Sequence, residues 1–369
     1  MKKKAPTIYD IAVHAGVSVA TVSRVLNGQV NVNAGLRAKV EMAMQELRFR
    51  PNRTAQSLNH RRSQTLGCVL PDITSPYFAR LFLAIETCAF ERGYSVILGN
   101  ASNDYDLERT YLHSLAERQV DGLLLLGGRA NLVAPEAARL QDIIEIAERL
   151  PIVSVNGDFP GVEGVYSVNS DERAGMRALL IQLLDAGHTK VAFLGGLEDV
   201  TGTQLKLGVY REMLAERGLK ALPEWVQLSG YNVQSGEEAL RRVLAQPEQP
   251  TAALCVNDLV AVGVLRAAAA SGLAVPGDLS VTGFDDVDLA ELVTPPLTSV
   301  NHNYQALAQL AVDVLLRAVE GERPPRLSTV PTSLVPRGSV ARPGAVQTPT
   351  SGDQHVQTRS TPLRRRLQP

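Results

Sequence analysis

Cysteine is scarce in this chain: Cys68, Cys88 and Cys255 are the three in 369 residues. They are scattered, odd in number and at no CxxC or Cys/His spacing. That excludes a disulfide framework and a thiolate metal centre, and leaves small apolar side chains buried in a reducing compartment. No run approaches about 18 apolar residues, so no membrane span is expected. Lys2, Lys3 and Lys4 are followed by an amphipathic segment and not by an apolar core, so no secretory leader is expected either, and the chain reads as cytoplasmic. Catalytic signatures are missing too: no GxGxxG after a strand, no GxxxxGK[ST], no HExxH, no GxSxG. The six histidines lie at no ligand spacing. Asp285, Asp286 and Asp288 read as a solvated turn and not as a cation site. No enzyme, cofactor or metal is expected.

What is present is an asymmetry of charge. Residues 1–62 hold eleven Lys and Arg against three acids, a net of +8. The whole chain nets −1, so residues 63 onward carry −9. A near-neutral total hides a basic front and an acidic body, as a DNA-reading module tethered to a sensing module would show. A 45% apolar and 20% charged composition is ordinary for a globular protein, and the length allows a small domain plus a large one.

The front carries helical signals in quick succession. Thr7 can cap a helix with Asp10 near its positive end, and Ile8, Ile11 and Ala12 fall at helical spacing. Gly16 supplies the positive φ that ends this helix. Ser18 caps a second, Val19 to Leu26, whose Val22, Val25 and Leu26 face inward and whose Thr21, Ser23, Arg24 and Asn27 are left for another surface. A third runs from about Asn33 to Leu47. Two helices joined by a tight Gly-containing turn, with short polar residues opening the second, fit a helix that enters a major groove.

The strings TIYDIAVHAGVSVATVSRVLNG and LRFRPNRTAQSL closely resemble the head and hinge of the lactose/galactose repressor (LacI/GalR) family of bacterial transcription regulators. The resemblance implies that Val19 and Ala20 read base edges. Thr7, Ser18, Thr21, Ser23, Arg24 and Asn27 would be supporting base and phosphate contacts. Physically, Val19 and Ala20 offer apolar contact suited to a thymine methyl, and Arg24 reaches phosphate or guanine. Asn33, the Gly35-Leu36 pair and Phe49 depart from the family's usual residues. In the hinge, Pro51 stops the third helix, and Asn52 can cap a short helix, Arg53 to Asn59, too short to stand alone. It should order only against a partner copy and DNA. Asn52 and Arg53 would support DNA contact, and Leu58 would wedge the central minor groove.

From Gln64 the pattern changes. TLGCVLP, YSVILGN, VDGLLLLGG, PIVSVNG, KVAFLGG, AALCVND and SVTGFDD alternate with helical stretches such as Tyr77–Arg92, Leu107–Gln119 and Arg173–Ala186. That βαβ rhythm implies parallel sheets, with ligands beyond the carboxyl ends of the strands. Leu297 to Val319 reads as the chain returning to the first sheet.

Residues 64–340 resemble the same family's effector domain, through DITSPYF, PTAALCVNDLVAVGVL and LAVPGDLSVTGFDDVDLAELVTPPLTSV. The implied fold is a small all-α helix-turn-helix head, residues 1–48, and a hinge, 49–63. An α/β periplasmic-binding-protein-like effector domain, 64–340, would follow as a two-lobed parallel-sheet clamshell. The lobes are expected at about 64–163 plus 292–325, and 164–291 plus 326–340. Carried over by position, the effector pocket holds Tyr77, Phe78, Asn156, Lys206, Tyr231, Asn257, Asp258 and Asp285. Lys206 stands where the family often has Arg, and His302 where Gln is frequent. The bland reading of each Asn or Asp is turn chemistry, and of Tyr77 and Phe78 core packing. Residues 341–369, rich in Pro, Thr, Gln and Ser, should be a disordered tail. LVPRGS at 334–339 matches a protease-tag sequence and reads as a native final strand.

The expectation is a homodimeric regulator, most simply a repressor of carbohydrate-related genes. It would bind palindromic double-stranded operator DNA and be switched by a sugar or sugar derivative. The alternative is a stand-alone cytoplasmic or periplasmic sugar-binding protein.

Overall fold

A computed structural model describes residues 6–26, 32–49 and 62–344. The head contains α1 (Ile8–Ala15), α2 (Val19–Leu26) and α3 (Ala34–Glu46). Thr7 and Asp10 form a reciprocal capping box at the start of α1, satisfying amide donors that the helix leaves open. Gly16 closes α1 at φ 64°, the left-handed conformation that only glycine adopts without steric cost. Ile11, Ala12, Val22, Val40 and Ala43 are buried at the centre, packed by Ile8, Val17, Val25, Met44 and Phe49. This core draws on head residues alone.

The first lobe is a six-stranded sheet in the order β11-β5-β4-β3-β1-β2. The strands are β1 (Thr65–Leu70), β2 (Ser95–Asn100), β3 (Gly122–Leu126), β4 (Ile152–Val155), β5 (Val165–Ser170) and β11 (Leu327–Val330). All its pairings are parallel. Parallel strands need crossover helices, and helices on both faces make the strands continuously apolar. Leu66, Cys68 and Leu70 of β1, with Leu124 and Leu126 of β3, face α4 (Pro76–Glu91) and α12 (Tyr304–Val319). Val69, Leu123, Leu125 and Ile152 point the other way, onto α5 (Tyr105–Glu117) and α6 (Ala137–Ala147).

The second lobe has four parallel strands in the order β7-β6-β8-β9: β6 (Val191–Leu194), β7 (Val226–Gln227), β8 (Ala252–Cys255) and β9 (Ser280–Thr282). Its helices include α9 (Val233–Leu244), α10 (Asp258–Ala270) and the short α11 (Leu289–Leu292), while α7 (Glu172–Asp185) and α8 (Thr201–Glu216) each begin in the first lobe and continue in the second. Gly236 and Gly263 let α9 and α10 nearly touch: a Cβ at Gly263 would lie 1.9 Å from the Val233 carbonyl oxygen. The short strands β10 (Ser299–Asn301) and β12 (Ser333–Val335) pair with each other.

The lobe boundaries differ from those expected. Val165–Ser170 and Leu327–Val330 belong to the first lobe, because β4 pairs with β5 from Ile152↔Val165 and β11 pairs with β5 from Leu327↔Ser167. The chain changes lobes after Gly175, Leu197, Lys206, Val300 and Ser333, so residues 292–300 lie in the second lobe. Strand pairing decides membership, and period-two hydrophobicity does not say which sheet a strand joins. Ala341, expected in the tail, donates its backbone N–H to the Ser280 hydroxyl at 3.0 Å. Asn27, the hinge from Arg50 to Arg61 with Asn52, Arg53 and Leu58, and residues 345–369 lie outside the described residues. All three cysteines are buried, and burial pushes the thiols of Cys68 and Cys255 up. Among the described residues no helix is long and apolar enough to cross a membrane.

Candidate functional site

In the head, α2 turns its apolar Val22 into the core and leaves Ser18, Ala20 and Arg24 exposed, with Val19, Thr21 and Ser23 half-buried. Ser18 opens the helix: its hydroxyl accepts from the Thr21 backbone N–H at 3.2 Å and lies 2.9 Å from the Thr21 hydroxyl. The described reading residues, Ser18 to Arg24, thus lie together at the start of α2. Thr7 is committed locally, its hydroxyl 2.7 Å from the Asp10 carboxylate.

In the first lobe the expected residues converge at the carboxyl ends of the strands. Asn156 follows β4 with φ 51°, the left-handed conformation that asparagine tolerates better than most non-glycine residues. Its side chain is held three ways. The amide nitrogen donates to the Tyr77 hydroxyl at 2.7 Å, and the carbonyl oxygen accepts from the Ser170 backbone N–H at 2.6 Å and hydroxyl at 3.0 Å. Ser170 then meets His302 Nδ1 at 2.6 Å. Tyr77 stands edge-on to Phe78, and its ring centre lies 5.0 Å from that of His302. His302 is fully buried, and burial pushes its imidazole down to about 4; Glu172 opposes the shift and Lys206 adds to it. Lys206, expected as a ligand contact or a solvated cation, is buried and pairs with Glu172 at 3.6 Å. Tyr77, Phe78, Asn156 and Lys206 are therefore assembled with Ser170, Glu172 and His302, of which Ser170 and Glu172 were not expected from the sequence. Ser170 ends VYSVNS, an alternating run before an acidic pair, and that signal would have found it.

In the second lobe the expected residues serve the local fold. Asn257 caps α10 by accepting from the Val260 N–H at 2.9 Å, and its amide donates to the Tyr231 carbonyl at 3.0 Å. Asp258 accepts from Ser299 Oγ at 2.6 Å and from the Val287 N–H at 2.9 Å. Burial raises its carboxyl well above the usual range, and the neighbouring Asp285 charge raises it further. The two carboxylate oxygens brace the turn through Asp285, whose φ is 106°. Asp286 is held by Arg337 at 2.7 Å. Asn257 and Asp258 thus make turn and cap hydrogen bonds, Asn257 to the Val260 N–H and the Tyr231 carbonyl and Asp258 to the Val287 N–H and the Ser299 hydroxyl.

Comparison with known proteins follows the same division. Residues 7–52 match the lacI family of bacterial regulatory proteins, and residues 181–340 match a periplasmic binding protein-like domain. The chain is 35% identical over 316 residues to the ribose operon repressor of Escherichia coli strain K12, an alignment covering 85% of this chain and 93% of that one. It is 34% identical over 343 residues to the HTH-type transcriptional repressor PurR of Erwinia tasmaniensis, covering 91% and 97%. Among solved structures, the lac repressor dimer bound to operator and the anti-inducer ONPF matches with a TM-score of 0.80 at 29% identity, covering 92% of this chain and all of that one. A basic helix-turn-helix head and a two-lobed parallel-sheet body, aligned end to end with these regulators, place the chain in the lacI family of DNA-binding transcription regulators.

Proposed function

We propose that the chain is a homodimeric repressor that binds palindromic operator DNA and is switched by a small sugar-like effector. The observation that carries this reading is the joining, in one chain, of an outward-facing α2 to a lobe whose strand ends gather hydrogen-bonding groups. One head covers one half-site, so two copies and a palindrome are required. Ser18, Val19, Ala20, Thr21, Ser23, Arg24 and Asn27 face the groove, and Asn52, Arg53 and Leu58 engage the centre of the site.

For the effector, Tyr77 and Phe78 supply an aromatic wall, and Asn156 with the neutral His302 supplies orientable donors and acceptors. That set suits hydroxyl groups on a compact ring. Lys206 adds a point charge where a guanidinium fork would give planar contact, so the preferred sugar differs from one that needs a fork. Tyr231, Asn257, Asp258 and Asp285 line and brace the second lobe. The relatives include a ribose operon repressor and a regulator, CelR, solved with cellobiose, which favours a carbohydrate over other small polar ligands. The chain acts in the cytoplasm and performs no catalysis.

The test is a selection of duplexes from a randomised pool by the full chain, followed by binding to the enriched and a scrambled sequence. An enriched, two-fold symmetric site bound at least about 10³-fold more tightly supports the reading. A chain that enriches no duplex yet is thermally stabilised by sugars is a stand-alone binding protein.

A further inference from the structure

The chain that leaves the head enters the body at β1, so the fastening of that entry bears on how firmly the head is held. The structure concentrates polar contacts there. The Asp121 carboxylate, just before β3, accepts from the Ser63 backbone N–H at 2.7 Å, the Ser63 hydroxyl at 3.0 Å and the Gln64 backbone N–H at 2.9 Å. Its own backbone N–H donates to the Thr65 carbonyl at 2.8 Å, which locks β1 to β3 at their first residues. Gln64 takes φ 52°, so the chain turns sharply as it enters the strand. Arg62 reaches the other way. Its guanidinium donates to the Val319 carbonyl at 3.4 Å and lies 3.7 Å from Glu320, both at the carboxyl end of α12. Tyr94 shares the cluster, its hydroxyl raised by burial and by Asp121 and lowered by Arg62.

Two elements that hold this entry also reach the candidate ligand site. β3 begins at Gly122, next to Asp121, and runs beside β4, whose carboxyl end is followed by Asn156. α12 begins two residues after His302 and ends where Arg62 grips. At sixteen residues it is about 24 Å long by its rise.

We propose that Asp121 is a positioning residue for operator binding: its carboxylate, with Arg62 as a second tether, fixes the direction in which the chain leaves the body towards the head. This rests on the DNA-binding reading above. The carboxylate accepts three hydrogen bonds from Ser63 and Gln64, whereas an amide presents one oxygen and a nitrogen that repels N–H. Asp121→Asn therefore loosens the entry without changing its size. Specific binding needs two heads held in register; attraction to arbitrary duplex needs only their charge.

The test uses the full chain and a duplex enriched by the wild-type protein from a random pool. Asp121→Asn is expected to lower affinity for that duplex by about tenfold, equivalent to about 1.4 kcal/mol, with affinity for a scrambled duplex unchanged. Asp121→Glu should recover part of the loss, and Arg62→Ala should show the same selective weakening. Equal affinities of wild type and Asp121→Asn for the enriched duplex overturn the proposal. So does an equal loss on both duplexes, which marks a folding defect. A wild-type chain that enriches no duplex defeats the DNA-binding reading itself, a result distinct from either.

Discussion

Replacing His302 by Gln should remove much of the acid sensitivity of this protein. His302 is completely buried, and its imidazole is pushed from 6.5 down to about 4. In the unfolded chain it takes up a proton near its ordinary value; in the folded lobe it resists doing so until much lower pH. The group is neutral in both states above the unfolded value, so nothing is lost there. As pH falls through 6.5 towards 4 the unfolded state binds the proton first, and stability falls. Each tenfold difference in proton affinity is about 1.4 kcal/mol, so the loss approaches about 3 kcal/mol by pH 4 and is about 2 kcal/mol at pH 5. Glu172 and Lys206 face the ring and pull in opposite senses, so neither cancels the burial. Urea unfolding followed by circular dichroism at about pH 7.5, 6 and 5 gives the slope for each protein. The wild type should lose about 2 kcal/mol more than His302→Gln over that interval. Other titrating groups, including His188, which burial also lowers, are common to both and drop out of the difference. Parallel losses in the two proteins would refute the assignment of His302 as a buried neutral group.

Arg24→Ala should weaken operator binding by about 1–3 kcal/mol and reduce the salt slope by about one, read by fluorescence anisotropy at several salt concentrations; an unchanged slope removes Arg24 from the phosphate contacts. Gly16→Val should destabilise the head by about 1–2 kcal/mol through backbone strain alone, because a Cβ there meets nothing within 4 Å. Gly16→Asn should cost less, as Asn tolerates the left-handed region, and equal melting of the two variants contradicts this. A serine protease specific for Leu-Val-Pro-Arg should leave the folded chain intact. Arg337 is tied to Asp286 at 2.7 Å and to the Leu297 carbonyl at 2.9 Å, and Leu334-Val335 lie in β12. Cleavage should begin only in urea concentrations that unfold the second lobe, and rapid native cleavage defeats the prediction.

Much of this was legible in the residues. The helix from Val19 to Leu26 follows from a capping serine and an apolar stripe, both local signals. The strands announced themselves as apolar runs because helices cover both sheet faces. Asn156, Asn257 and Asp285 could be placed at strand ends because the runs stop just before them. What stayed hidden was long-range. Nothing in VYSVNS says that β5 pairs with β4 and not with the second sheet, so the lobe boundary was drawn too early. Nor does sequence show that Lys206 is buried against Glu172, or that His302 packs on Tyr77, since 225 positions separate the last two. That Asp258 braces the turn around Asp285 is seen only in the hydrogen bonds themselves.

The central claim, that ligand and operator binding are linked in one molecule, is tested most directly by measuring operator affinity with and without a sugar that raises the melting temperature of the full chain. Binding free energies are reciprocal, so a coupled ligand must shift operator affinity by the same factor that operator shifts ligand affinity, typically about 5- to 150-fold. The account predicts such a matched pair of shifts. A sugar that stabilises the protein yet leaves operator affinity unchanged would contradict it.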